Sequence, residues 1–173
     1  MIIRTANIND CAAIAKIQVD SYIDTYTKIL PEPYLAHFTY QEQELDWYNL
    51  ISELGNQILF VAELSIDGVI GYALGDANLD ELPPFESELV AIHIRRDFHR
   101  RGIGRQLFTS VSSGLLNQGY SSLFLWVLAD NPACSFYEKL GGKRIKEKPW
   151  INNHFFGTDI KEIAYGWHNN RFT

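Results

Sequence analysis

Cysteine is scarce: the 173 residues hold two, Cys11 and Cys134, with no CxxC or other paired spacing. That excludes a disulfide scaffold or thiolate zinc site, and the plain expectation is a reduced, cytoplasmic chain. Long apolar runs are missing as well, and none reaches the ~18 residues of a membrane span. The opening MIIRTANIND has no basic start, apolar stretch or small-residue cleavage site, so no secretory signal is expected. The five histidines (37, 93, 99, 154 and 168) show no metal-ligand spacing, so no metal is expected. Positive charge is absent from a whole stretch: the 66 residues from Ile29 to Ile94 contain no Lys or Arg, yet hold 12 of the 21 carboxylates. All 15 basic residues lie in the flanks, five of them arginines between Arg95 and Arg105. With a net charge of −6, a nucleic-acid-binding surface is disfavoured, because phosphate binding needs a basic footprint.

What is present is near-average composition, 46% hydrophobic and 21% charged, which fits a single domain over residues 1–173. Ile2 to Thr5 reads as a strand. Asn7 and Asp10 form a cap signature for a helix to about Tyr26, and Gln41 to Leu54 carries a second helical stripe. Ile58 to Leu64 and Val69 to Gly75, joined by Asp67-Gly68, read as an antiparallel hairpin. Glu88 to Ile94 is a further strand, Gly102 to Gln118 a helix, and the apolar Ser122 to Leu128 a strand buried on both faces. Asn131-Pro132 opens another helix that stops at Gly141-Gly142, and Lys143 to Trp167 alternates as two strands. The order predicts a mixed α/β fold.

Two segments carry chemistry. In HRRGIGR (His99 to Arg105) Gly102 and Gly104 remove side chains at a strand-to-helix turn, where unpaired amides and the helix dipole favour an anion. In NPACSFYEKLGG, Asn131 as cap and Pro132 as first helical residue place Tyr137 nearly two turns into a helix, and a phenol there can act as a proton donor. Cys134 reads as a packed helix cysteine rather than an acyl carrier.

Together, the glycine turn after ELVAIHI, the buried strand SLFLWVL and Asn-x5-Tyr-Glu-x-Leu-Gly resemble the GNAT superfamily of acyl-CoA-dependent N-acyltransferases. His99, Gly102 and Gly104 match the family's Gln/Arg-x-x-Gly-x-Gly/Ala turn, with His99 replacing the usual first residue. SYIDTYTKILPEPYL, Trp47, GGKR and AYGW look like a large bacterial branch. The resemblance implies a mostly antiparallel sheet of about seven strands with splayed central strands, acetyl-CoA as cosubstrate and direct attack by an amine. It implies cofactor contacts from Ile92, His93 and Ile94, from the turn Arg100, Arg101, Gly102, Ile103, Gly104 and Arg105, and from Asn131. Tyr137 would protonate the leaving thiolate. Glu88 is the first choice of base, with Glu86 and His93 as alternatives. Tyr22, Tyr26, Tyr34 and Trp126 are candidate walls of an acceptor pocket, and Glu86 is a further candidate contact.

The acceptor would be a small-molecule or protein amine. The charge split then divides the molecule into a basic cofactor side and an acceptor side bordered by Asp76, Asp80, Glu81, Glu86 and Glu88. Polyamines, aminoglycosides, amino acids and protein N-termini all suit such an acidic border. The resemblance is compatible with a homodimer, and neither nucleic acid nor membrane is expected as a partner. The alternative is a CoA-binding regulatory module without transferase activity.

Overall fold

The computed structural model describes residues 1–77 and 82–168. Seven strands form one sheet in the order β1-β2-β3-β4-β5-β7-β6, where β1 is Ile2–Thr5, β2 Ile58–Leu64, β3 Gly68–Ala77, β4 Ser87–Ile94, β5 Ser122–Leu128, β6 Lys143–Pro149 and β7 Lys161–His168. Every neighbouring pair is antiparallel except β4 and β5, which run parallel. The mixed α/β order read from the sequence and the mostly antiparallel sheet that the resemblance implies are both present. Helices α1 (Cys11–Tyr26) and α3 (Tyr40–Ser52) cover one face, with the short α2 (Glu32–Leu35) between them in sequence. Helices α4 (Ile103–Asn117) and α5 (Cys134–Lys139) pack on the other face, and α6 (Asn153–Phe156) joins β6 to β7.

Alternation along the strands builds the two cores. Leu123, Leu125 and Val127 of β5 and Ile163, Tyr165 and Trp167 of β7 meet Leu107, Phe108, Val111 and Leu115 of α4. On the opposite face Val61, Tyr72 and Leu74 meet Ile14, Ile17 and Trp47. Burial of each such large side chain contributes about 1.5–3 kcal/mol. The Asn7/Asp10 signature is a true capping box: Asn7 Oδ1 accepts from Asn9 N at 3.0 Å, and Asp10 Oδ2 accepts from Asn7 N at 2.8 Å. It starts a 3-10 turn, Ile8–Asp10, that runs into α1. Arg4 clamps the same carboxylate through its two terminal guanidinium nitrogens, at 2.8 and 2.9 Å, which holds the Asp10 pKa below its ordinary value.

The central feature is where two strands part. β4 and β5 pair only at Ser87 with Leu123 and at Glu88 with Phe124. Across β3, Leu74 pairs with Ala91 but Gly75 pairs with Leu89, so Val90 is an extra residue that bends β4. Beyond Leu89 the edge of β4 that faced β5 has no strand partner among the described residues, and the gap opens a cleft through the sheet.

The helix predicted to start at Pro132 begins two residues later. Asn131 Oδ1 accepts from Ala133 N at 2.8 Å, forming a side-chain turn over Pro132 and Ala133 before α5 starts at Cys134. Tyr137 consequently lies one turn into its helix. Among the described residues no helix is long and apolar enough to cross a membrane.

Candidate active site

The cleft occupies about 820 Å³ and is lined from both sides of the sheet. Its walls include Leu89 to Ile94 of β4, Leu125 to Leu128 of β5, the turn before α4, and Tyr22, Tyr26, Leu30 and Tyr34 from the α1/α2 side. An adjoining hollow of about 880 Å³ lies between α1 and the segment Ile94 to His99.

The turn is shaped for an anion. Arg100 and Gly102 both have left-handed backbone, with φ of 62° and 78°. Among the described residues the amides of Arg100 to Arg105 donate to no carbonyl and no side chain. They stand at the N-terminus of a 15-residue helix, where the dipole adds to their pull on negative charge. A side chain at Gly102 would meet nothing within 4 Å, whereas one at Gly104 would press on Phe136 and Ile94 at 3.1 and 3.2 Å. His99 anchors the turn, because its Nε2–H donates to Ile94 O at 2.8 Å.

Of the five arginines in this region, Arg100 and Arg105 line the cleft. Arg101 does not: it donates to Asp97 O at 2.9 Å and stacks on Phe98, so only its backbone serves the turn. Arg95 pairs with Asp97 at 2.7 Å and Arg96 with Asp24 at 3.5 Å. Ile92, His93, Ile94, Gly102, Ile103, Gly104 and Asn131 all border the cleft. The Ile94 carbonyl, however, already accepts from His99.

Tyr137 lines the cleft with 7% of its surface exposed, its ring 5.3 Å from Phe136 and 6.1 Å from Tyr165. Burial raises its pKa above the ordinary phenol range, so the hydroxyl stays protonated. Asn131 Nδ2 donates to Tyr26 Oη at 3.0 Å. One Asn131 proton therefore positions Tyr26, and its oxygen is spent on Ala133. Tyr22 stacks on Phe38 at 4.4 Å and meets Tyr26 edge-on at 5.0 Å. The Cys134 thiol lies against the carbonyls of Leu128 and Ala129 with its pKa raised by burial, which keeps it from acting as a nucleophile.

Among the described residues, Glu88, Glu86 and Asp76, three of the carboxylates expected at the acceptor border, do not line the cleft. Glu88 stands opposite Asp76 and beside Phe124, at the end of β4 where the two strands are still joined. Glu86 Oε2 accepts from Ser121 N at 2.6 Å and from Ser121 Oγ at 2.7 Å, which ties it to the start of β5. Asp76 accepts from Gln57 at 2.7 Å. Asp80 and Glu81 lie outside the described residues. Among the described residues the carboxylate that does line the cleft is Glu162, which the sequence reading missed along with Leu30 and Trp150. A signal was present: Ile163, Tyr165 and Trp167 form the core stripe of β7, so Glu162 must face the other side.

His93 also lines the cleft, between Tyr22 and Tyr72 with ring centroids 5.6 and 5.4 Å away. Burial lowers its pKa to about 4, so the imidazole is neutral at physiological pH. In the unfolded chain histidine protonates near 6.5. The unfolded state therefore takes up the proton first, and this residue's contribution to stability falls as pH drops from about 6.5 toward 4. NMR of the His93 ring protons is expected to give constant shifts from pH 8 to 5. A midpoint near 6.5 would show an exposed ring.

The family model described as FR47-like protein matches residues 79–151. An uncharacterized N-acetyltransferase of Bacillus subtilis (strain 168), YuaI, is 33% identical over 165 residues, covering 95% of this chain and 91% of the relative. Among solved structures, the PaiA N-acetyltransferase of Thermoplasma acidophilum, in complex with coenzyme A, matches with a TM-score of 0.76 at 17% identity, covering 96% of this chain and 98% of that one. YncA of Salmonella typhimurium, with its cofactor acetyl-CoA, gives 0.74 at 20% identity over 97% and 93%. Kinship along nearly the whole sequence and the shared fold make the chain an acyltransferase that belongs to the GNAT superfamily of N-acetyltransferases.

Proposed function

We propose that the protein moves an acetyl group from acetyl-CoA to a primary amine by direct attack within a ternary complex. The observation that carries this reading is the cleft between β4 and β5, which joins the amide-rich turn on one side of the sheet to aromatic walls on the other. The residues present fit the cosubstrate. The free amides of Arg100 to Arg105, with the Arg100 and Arg105 side chains, suit its pyrophosphate. The unpaired edge of β4 beyond Leu89 suits the amides of its pantetheine arm, as a sheet edge suits any extended chain. When bound, acetyl-CoA supplies an acetyl thioester, which the amine attacks and whose sulfur departs as thiolate.

The protein's own part is proton management and positioning. Tyr137 Oη carries the proton for the departing sulfur, and its raised pKa keeps that proton in place until charge develops there. Asn131 acts as a positioning residue by fixing Tyr26 in the acceptor wall. Of Glu88, Glu86 and His93, the placement of His93 in the cleft favours it for relaying the ammonium proton. Its ring is neutral at physiological pH and leaves a nitrogen able to accept a hydrogen bond.

Thermal unfolding with and without acetyl-CoA, paired with thiol release on a broad amine panel, tests the reading. At 100 times Kd the ligand is expected to stabilise the fold by about 2.7 kcal/mol, and at least one amine is expected to release thiol. An absent thermal shift overturns the CoA site. A shift without thiol release on any amine favours the binding-module reading.

A further inference from the structure

The acceptor end of the cleft contrasts with the acidic border expected from the sequence. Among the described residues its lining contains one carboxylate, Glu162, set among Tyr26, Leu30, Tyr34, Trp126 and Trp150. Tyr34 meets Trp150 edge-on at 4.9 Å, and Leu30, Leu128 and Trp150 are each about 7% exposed or less, so these walls are apolar and built. Register places Glu162 across from Leu128 of β5 on one side and from Lys148 of β6 on the other.

Lys148 reveals what this corner prefers. Its Nζ lies 3.9 Å from the centroid of the Trp126 ring and 3.7 Å from Glu162 Oε2. One primary ammonium is thus already held between an indole face and a carboxylate, the two features that best recognise such a group. The Glu162 side chain is 20% exposed and that of Lys148 is 41% exposed. The carboxylate is the inner partner and the lysine the more solvent-exposed one, with its charged head at the water side. Burial also raises the Glu162 pKa and Lys148 opposes that rise, so the carboxylate gains from a cation beside it. A single carboxylate can satisfy one positive charge, and a second ammonium in these apolar walls would lie unpaired at considerable cost.

Building on the transferase reading, we infer that Trp126 and Glu162 form the ammonium subsite of the acceptor, held in the resting protein by Lys148, and that the acceptor is a monocationic primary amine on a flat apolar body. Polyamines and aminoglycosides are disfavoured, because among the described residues this lining offers their additional charges no partner. Lys148 acts as an internal competitor that the arriving amine displaces.

The test compares acetyl-CoA-dependent thiol release with 2-phenylethylamine, spermidine and kanamycin on the full chain and on Glu162→Gln and Lys148→Met. Wild-type kcat/KM is expected to be at least ~10-fold higher for 2-phenylethylamine than for the other two. Glu162→Gln should raise its KM about 10-fold while kcat changes less than about threefold, and Lys148→Met should lower the KM about two- to fivefold. The opposite signs separate charge recognition from packing damage, which would weaken both variants alike. Preference for spermidine or kanamycin overturns the subsite while leaving the transferase reading intact, as does an unchanged KM in Glu162→Gln. Turnover of none of the three, with turnover of some other amine in the broad panel, also overturns it. Absence of turnover on every amine defeats the transferase reading itself.

Discussion

Tyr137→Phe is expected to lower kcat about 100- to 1000-fold while leaving acetyl-CoA affinity within about twofold, the range typical of losing a general acid. The substitution keeps the ring that packs against Phe136 and Tyr165 and removes only the hydroxyl. Among the described residues that hydroxyl has no hydrogen-bond partner, so its loss strands no donor or acceptor, and folding stability should move by less than about 1 kcal/mol. Steady-state thiol release with the best amine of the panel, beside calorimetric titration of acetyl-CoA, separates the two quantities. A parallel fall in kcat and affinity would assign Tyr137 to packing instead. The pH profile adds a second reading. Because burial holds the phenol above its ordinary range, no decline in kcat from its ionisation should occur below about pH 10.

The elements were legible because their signals are local. The Asn7/Asp10 box, the Asp67-Gly68 turn, the glycine turn before α4 and the apolar run of β5 each follow from a few neighbouring residues. The α5 start was misplaced because Asn131 has two ways to use its oxygen, and the side-chain turn onto Ala133 competes with a helix cap. The places of the turn and of Tyr137 at the cleft follow from equally local signals. Those of the carboxylates do not. Glu88 and Glu86 are close in sequence to the β4 residues that line the cleft, but the strands part only beyond Glu88, a point set by the bulge at Val90 and by the short pairing with β5. The stripe of Ile163, Tyr165 and Trp167 gives the face on which Glu162 lies, but it reaches the site only because β7 inserts between β5 and β6, a long-range adjacency that alternation alone does not fix. The opening charge split retains its basic side in Arg100 and Arg105. On the acceptor side the described carboxylates serve strand ends, and a single acid remains in the cleft.

Gly104 offers the second large effect, expected on cofactor affinity rather than turnover. It is the second residue of α4 and packs where that helix meets the end of β4 and the flank of α5. An added methyl would come within 3.1 Å of the Phe136 ring and 3.2 Å of Ile94 Cδ1, so both must yield. Both residues line the cleft, which means the room is taken from the site itself. The family's turn admits alanine at this position, but here the Phe136 ring and Ile94 crowd its Cβ, so Gly104→Ala should weaken acetyl-CoA binding up to about 10-fold, or about 1.4 kcal/mol, and Gly104→Val about 100-fold. Overpacking should cost folding about 1–3 kcal/mol. Calorimetric Kd values and the thermal shift given by saturating acetyl-CoA check the graded loss, and the alanine variant keeps the test open if the valine variant fails to fold. An alanine variant that binds as tightly as the parent would show that the wedge relaxes elsewhere. The paired glycines thus answer different demands. Gly102 supplies a left-handed backbone with open space around it, and Gly104 lets the start of α4 approach Ile94 and Phe136 without side-chain bulk.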